Sequence, residues 1–176
     1  MRVAVSGTHF SGKSTLIASL LEQFPDYTSV EEPYFLLEQG GYEFSDPPSI
    51  EDFEAQFMCS IKVIEESQEN TFFDRCPLDC LAYALAIDET SIDIEEWIEK
   101  MEDSIQLLDL IVFIPIETRI PVPQSENLKL RTRVDEKLQD MVLNDSLGIL
   151  ENIEVLEVIG SIEKRVRMVK DMMELA

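Results

Sequence analysis

The chain has 176 residues and a mass of 20.2 kDa, which is the size of one ordinary domain. Apolar residues make up 45% of it and charged residues 28%, so it can bury a core and is neither disordered nor a disulfide miniprotein. The net charge of −22 repels phosphate backbones and anionic lipid heads. We therefore expect no nucleic-acid partner and no membrane partner.

The cysteines point to a reducing compartment. Cys59, Cys76 and Cys80 contain no Cys-x-x-Cys pair, and no histidine near them completes a metal set. We interpret all three as reduced core thiols. The sequence has neither a leader pattern nor an apolar run approaching the roughly 18 residues of a membrane span, so we expect a cytoplasmic protein.

Strand and helix patterns alternate along the chain. Short apolar or β-branched runs predict five strands, at residues 2–6, 28–30, 71–74, 108–114 and 153–159. Apolar residues at helical spacing predict helices at 13–24, 50–64, 77–87, 94–105, 129–137 and 161–175. This alternation predicts an α/β fold, in which helices cover both faces of a parallel sheet. No repeat or linker divides residues 1–176, so we expect a single domain.

One motif carries specific chemistry. Residues 7–14 read GTHFSGKS and match G-x-x-x-x-G-K-[ST] at each fixed position, between a predicted strand and a predicted helix. Glycines at both ends permit a turn that aims backbone N–H groups at phosphates, and the helix start adds its positive dipole end. Lys13 would supply a charge to the β- and γ-phosphates, and Ser14 a hydroxyl ligand for Mg²⁺.

The chain is therefore predicted to bind a nucleoside triphosphate. The residues that we expect to form its binding loop are consecutive: Gly7, Thr8, His9, Phe10, Ser11, Gly12, Lys13, Ser14 and Thr15. We interpret His9 as filling the loop or bonding a phosphate edge rather than as a catalytic group.

The strand ends narrow the class of protein. No Asn-Lys-x-Asp sequence follows the fourth strand, which argues against a GTPase. The third strand ends in Asp74 followed by Arg75, whereas a motor ATPase would usually place a catalytic glutamate after its magnesium-binding carboxylate. The second strand ends in the residues VEEP at 30–33, and the third in DRCPLD at 74–79.

These strand ends resemble those of the nucleoside kinase and thymidylate kinase group. The stretch at 73–83, FDRCPLDCLAY, is more similar still to small AAA-type P-loop ATPase and kinase proteins that include nicotinamide riboside kinase-like domains. The resemblance covers residues 2–160. It implies a three-layer P-loop NTPase fold with sheet order 2-3-1-4-5, an acceptor-site insertion at about 35–70, a lid at about 117–137, and ATP and Mg²⁺ as cofactors.

The resemblance also implies catalytic roles. Glu32, or its neighbour Glu31, matches the carboxylate that takes a proton from the acceptor hydroxyl. Asp74 matches the carboxylate that holds Mg²⁺ together with Ser14. Arg75 matches an arginine that contacts acceptor or phosphoryl oxygens.

Four further positions are implied in the same way. Arg131 and Arg133 fall where such kinases place lid arginines. Gln56 falls near a glutamine that reads the base, and Gly160 opens the loop that packs on adenine. Plainer interpretations stay open: Glu32 as a solvated strand end, and the two arginines as neighbours that neutralise nearby acids.

The cation distribution bears on the acceptor. Between residues 31 and 70 the only cation is Lys62, which is too few for a site that holds an acceptor phosphate. We therefore expect ATP-dependent phosphoryl transfer to a hydroxyl of a neutral, nucleoside-like small molecule such as a nucleoside or riboside. A nucleoside monophosphate kinase, or an NTPase or regulatory switch without a small acceptor, is the alternative, and a homodimer is left open.

Overall fold

A computed structural model describes residues 1–117, 122–123 and 127–175. Parts of the predicted lid, residues 118–121 and 124–126, lie outside the described residues. The strands are β1 (Arg2–Ser6), β2 (Thr28–Val30), β3 (Thr71–Asp74), β4 (Leu110–Phe113) and β5 (Glu154–Glu157). The helices are α1 (Lys13–Gln23), α2 (Pro33–Gln39), α3 (Ile50–Glu65), α4 (Pro77–Asp88), α5 (Ile94–Ile105), α6 (Leu128–Leu138) and α7 (Ile162–Met173).

The strands form one parallel sheet in the order β2-β3-β1-β4-β5, as predicted. The strand β1 occupies the centre, so its carboxyl end lies between those of β3 and β4. The chain places β2 and β3 on one side of β1 and then β4 and β5 on the other, so the strand order reverses at this point. In open α/β sheets, ligands bind in the crevice outside such a switch point.

Alternate side chains of β1 serve two separate cores. Val3 and Val5 pack with α1 and α7 on one face, whereas Ala4 packs with α3, α4, α5 and α6 on the other. This is the period of two that a pleated strand imposes. Helices therefore cover both faces, and the three-layer α/β arrangement expected from the sequence is confirmed.

Element bounds differ from the sequence prediction most clearly at two strands and two helical segments. The strands β4 and β5 are shorter than the predicted 108–114 and 153–159, although Leu108 and Ile114 stay fully or almost fully buried. A run of apolar residues indicates burial, and burial continues past the last residue that pairs with a neighbouring strand. The seven-residue α2 was not predicted because it spans too few turns for a periodic pattern, and a short π-helix, Gln139–Leu143, extends α6.

A capping box opens α3. Ser49 accepts a hydrogen bond from the backbone of Asp52, and the Asp52 carboxylate accepts one from the backbone N–H of Ser49. Across the described ranges, no helix combines the length and the apolar character that spanning a bilayer requires.

Candidate active site

The motif loop joins β1 to α1 at the carboxyl edge of the central strand. Gly7 has φ +150°, and a Cβ atom placed on it would lie 2.6 Å from the backbone oxygen of Ile114. Gly12, just before the helix, has φ +93°. Both positions therefore need glycine, because a side chain would collide at the first and strain the backbone at the second.

A fully buried carboxylate fixes the beginning of this loop. Asp79, in the first turn of α4, accepts hydrogen bonds from the Ser6 hydroxyl (2.8 Å), the Gly7 N–H (3.0 Å) and the Cys76 N–H (3.0 Å). Asp79 had no role predicted from the sequence. Its only signal was its position three residues after Cys76, which is where a capping side chain reaches back to the helix start.

Cationic side chains hold four carbonyl oxygens of the loop. Each of the four cationic side chains comes from a different part of the chain and donates one hydrogen bond of 2.8–3.2 Å to a loop carbonyl. The pairs are Arg75 with Gly7, Lys13 with Thr8, Arg131 with His9, and Arg165 with Ser11. These bonds fix the directions of the carbonyl groups and so order the loop.

A second set of contacts joins α1 to the end of β3. The Ser14 hydroxyl donates a 2.6 Å hydrogen bond to Oδ2 of Asp74, and Lys13 Nζ lies 3.9 Å from Oδ1. Burial lowers the pKa of Lys13 to about 8, with Arg75 adding to the effect. Burial also raises the pKa of Asp74, although Lys13 and the Ser14 bond oppose that shift.

This pair fits a Mg²⁺ site. Oδ1 of Asp74 is buried and has no hydrogen-bond partner among the described residues, so the carboxylate keeps a free acceptor. Within the part of the chain that the structure describes, no three His, Cys, Asp or Glu side chains are placed to hold a metal ion together. Such a sparse set suits Mg²⁺, which binds one or two protein oxygens and completes its shell with phosphates and water.

The neighbouring strand ends contribute a buried ion pair. Arg75 Nε lies 2.8 Å from Oε1 of Glu32, as an electrostatic contact in which the N–H does not point at the oxygen. Burial would raise the pKa of Glu32, but Arg75 and Lys13 outweigh it and hold that pKa below its usual value. Glu31 instead lies exposed and accepts a hydrogen bond from Gln39.

Arg75 itself has a left-handed backbone, with φ +81°. This conformation is uncommon for a side-chain-bearing residue, so the backbone is strained at this strand end. Its guanidinium lies 3.6 Å from Asp79 and 5.0 Å from the ring centroid of Tyr83, so one cation contacts two acids, a carbonyl and an aromatic ring.

His9 is held as a neutral imidazole. Burial and the nearby Arg75 charge lower its pKa to about 3. Its Nδ1 lies 3.4 Å from Arg75 Nη2, and its backbone N–H donates to the Tyr83 hydroxyl at 3.0 Å. The residue thus packs against Arg75 and Tyr83 within the loop.

Two hollows flank Glu32. One has a volume of only about 10 Å³ and lies among His9, Glu32, Phe53, Gln56, Arg75, Cys80 and Tyr83. The rings of Phe53 and Tyr83 stack beside it, 5.3 Å apart and 8° from parallel. The other is an open groove of about 300 Å³ that reaches from Ser14 and Asp74 past Glu32 to Phe35.

Several predicted site residues do not join this cluster. Arg133 is exposed and borders a separate cavity of about 730 Å³ between α4 and α6, on the opposite side of α6 from the buried Arg131. Phe10 is 47% exposed, and Thr15 faces solvent. The N–H of Gly160 donates to the Glu117 carboxylate at 2.7 Å.

Sequence reasoning also missed Tyr83, Glu117 and Arg165. Tyr83 lay within a small-residue helix that is typical of a core, and Arg165 within a cation-rich final helix that is typical of a solvated face. Glu117 stood at the start of the predicted lid among other polar residues. Nothing in their spacing distinguished them, since the hydrogen bonds that they make to the loop and to each other span 43 to 154 positions of sequence.

A family model described as an AAA domain matches residues 2–165 of the chain. The chain belongs to this AAA-domain family. A comparison with curated proteins produced no match. The fold of this AAA-domain protein is that of the P-loop nucleoside kinases, as the sequence resemblance implied.

Two solved structures illustrate that fold. Deoxyadenosine kinase from M. mycoides with the products dCMP and dCDP bound is 14% identical and covers 100% of both chains, with a TM-score of 0.69. The same kinase with bound dATP is 14% identical and covers 99% of each chain, with a TM-score of 0.67. At this level of identity the likeness concerns the fold alone.

Proposed function

We propose that this AAA-domain protein transfers a phosphoryl group from ATP to a hydroxyl of a small molecule, a nucleoside or riboside, with Mg²⁺ as cofactor. The observation that carries the proposal is that two pairs of contacting side chains lie in one crevice. Ser14 and Asp74 form the first pair, and Glu32 and Arg75 the second. The deoxyadenosine kinase of the same fold, which binds dATP, supports the assignment of the nucleotide.

In this proposal the loop at residues 7–14 cradles the triphosphate. The backbone N–H groups and the start of α1 face the phosphate oxygens, and Lys13 adds a positive charge. Ser14 and Asp74 would hold Mg²⁺, which neutralises charge on the phosphates when it is bound. Arg131, whose Nη2 is buried without a hydrogen-bond partner in the described ranges, lies at the loop and is available to the transferred group.

Glu32 would position the acceptor. Its lowered pKa keeps the carboxylate ionised at neutral pH, so it accepts a hydrogen bond from the attacking hydroxyl. The acceptor oxygen forms a bond to the γ-phosphorus while the bond to the β,γ-bridging oxygen breaks, and ADP departs. The hydroxyl proton passes to Glu32 late in the reaction, because a loose transition state needs little removal of that proton before the new bond forms.

The charges near Glu32 favour a neutral acceptor over a nucleotide. Lys62, the one cation between residues 31 and 70, points into solvent with 69% of its side chain exposed and lies 3.9 Å from Glu66. It is therefore not part of the crevice. Arg75 follows this segment and already contacts Glu32 and Asp79. Among the described residues at 31–75, no cation without an acidic partner is therefore placed to hold an acceptor phosphate.

One observation favours a second candidate, an NTPase that lacks a small acceptor. The hollow beside Gln56 has room for about one water molecule. A nucleoside base enters it only if Phe53 and Tyr83 separate. The open groove between Ser14 and Phe35 is large enough for an acceptor without this change, and for that reason we favour the kinase.

We also propose that residues of about 35–70 contribute the acceptor site and those of about 117–137 a lid. Gln56 and Phe53 of α3, and Phe35 of α2, border the two hollows. Arg131 of α6 reaches the loop, whereas Arg133 does not. Within this proposal Gly160 lies in the loop that contacts the base.

A coupled ADP-release assay tests the function. Nucleosides, ribosides and nucleoside monophosphates are supplied with ATP and Mg²⁺, and Lys13→Ala serves as the inactive control. Release that rises with a nucleoside or riboside supports the kinase. Release that no acceptor stimulates supports the NTPase, and equal release from Lys13→Ala assigns the activity to a contaminant.

A further inference from the structure

Arg165 is a buried cation that the phosphate-binding motif does not include. It lies on α7 and is only 3% exposed. Its Nη1 donates a 2.8 Å hydrogen bond to the Ser11 carbonyl, and its Nη2 donates one of 3.1 Å to Oε2 of Glu117. The guanidinium thus joins the last helix to the second half of the loop.

Glu117 extends this contact to the turn that follows the edge strand β5. Its other oxygen, Oε1, accepts the backbone N–H of Gly160 at 2.7 Å. Gly160 follows β5 and has φ +104°, so this turn depends on glycine. A continuous chain of three hydrogen bonds therefore runs from Gly160 through Glu117 and Arg165 to Ser11.

The bond to Ser11 constrains the direction of a neighbouring donor. The carbonyl of Ser11 and the N–H of Gly12 belong to one planar trans peptide unit and point in opposite directions. By holding the Ser11 oxygen on its own side, Arg165 directs the Gly12 N–H away from itself. A Cβ on Gly12 would lie 3.2 Å from Arg165 Nη1, which places the guanidinium directly against this peptide.

We propose that Glu117 and Arg165 are positioning residues that couple the loop at Gly160 to the phosphate-binding loop. This coupling rests on the proposed function, in which the first loop contacts the nucleobase and the second the phosphates. A base seated at Gly160 then helps to hold the phosphate-binding peptide in place. Neither residue contacts the transferred group.

Calorimetric titration with Mg²⁺ and two probes, ATP and inorganic tripolyphosphate, tests the coupling. The proteins are the wild type, Arg165→Met, Arg165→Lys, Glu117→Gln and the double variant Arg165→Met/Glu117→Gln. Arg167→Met is the matched control, because Arg167 is exposed on the same helix. Thermal melts establish that each variant is folded before it is titrated.

Loss of a charge-assisted bond predicts an ATP affinity about tenfold lower in Arg165→Met and in Glu117→Gln. The double variant should lose no more than Arg165→Met alone, because the two residues act in one chain of contacts. Arg165→Lys should recover part of the loss, since lysine keeps the charge but not the two-pronged geometry. In Glu117→Gln the preference for ATP over tripolyphosphate should shrink, and Arg167→Met should match the wild type.

Several results would overturn the coupling. Unchanged ATP affinity in Glu117→Gln and Arg165→Lys would do so, as would additive losses in the double variant. Equal losses for ATP and tripolyphosphate in Glu117→Gln would also overturn it. If Arg165→Met fails to fold, Glu117→Gln and Arg165→Lys still decide the question. A wild type that binds neither probe would instead reject the proposed function itself.

Discussion

Arg75 and Glu32 approach to 2.8 Å, although they lie on different strand ends and 43 positions apart in sequence. Their side chains are only 3% and 13% exposed. A buried cation without a partner is costly, and Glu32 and Asp79 together stabilise the Arg75 charge at this edge of the sheet. The same contact lowers the pKa of Glu32 and sets its carboxylate beside the loop.

Glu32→Gln should abolish most of the turnover and leave ATP binding intact. The amide no longer accepts the acceptor proton, so we expect kcat to fall by about 10²–10⁴-fold. Glu31→Gln is the matched control and should behave as the wild type, because Glu31 is exposed and bonds only Gln39 among the described residues. Full activity in Glu32→Gln would show that Glu32 is not the base. Loss of activity in Glu31→Gln would assign that role to Glu31 instead.

The rate should fall in alkaline solution as Lys13 loses its proton. Its pKa is lowered to about 8, so the charged form that binds phosphate is complete below that value and is lost as pH rises through it. The pH dependence of kcat/KM for ATP reports the free enzyme, so its alkaline limb should lie near this pKa. A profile that stays flat up to the ordinary lysine pKa would contradict this placement of Lys13.

Asp79→Asn should destabilise the fold. The carboxylate receives three buried hydrogen bonds and faces Arg75, whereas an amide offers one acceptor oxygen and brings an NH₂ group against donors. We expect the free energy of unfolding to drop by about 2–4 kcal/mol, measured by urea denaturation. Asp103→Asn, at an exposed position of α5, should change it by less than about 0.5 kcal/mol.

The sheet and the loop were predictable because their signals are local. Five apolar runs separated by helical patterns determine a parallel α/β sheet, and the motif at residues 7–14 includes its own structural context. The carboxylate at Asp74 was predictable too, because it ends a strand beside β1. The order of the strands came from the resemblance to a family rather than from periodicity.

The supporting contacts were not predictable, since they join residues far apart in sequence. Arg131 and Arg133 looked equivalent as members of one pair, yet helix geometry buries the first and exposes the second. Arg165 resembled a surface cation but reaches Ser11 across 154 positions. Only the packing of α6 against α4 and of α7 against α1 distinguishes these side chains.

The cysteines should react in a defined order with a thiol-specific reagent. Burial raises the pKa of Cys76 and Cys80 well above the ordinary thiol value, and both are almost fully enclosed. Cys59 is half-buried with a more modestly raised pKa, so it alone should be labelled in the native protein. The Cys59→Ser variant should then react only after denaturation, and rapid labelling of that variant would show that α4 opens.

The fluorescence of Trp97, the only tryptophan in the chain, should distinguish the two hollows beside Glu32 as the place of the acceptor. Its ring lies 4.2 Å from that of Phe57, one turn of α3 beyond Phe53. If an acceptor base enters beside Gln56 by separating Phe53 from Tyr83, α3 must shift and the contact with Trp97 must change. A nucleoside that stimulates ADP release from the open groove at Phe35 should therefore leave the emission unchanged at saturation, whereas a change in the emission would place the acceptor base beside Gln56.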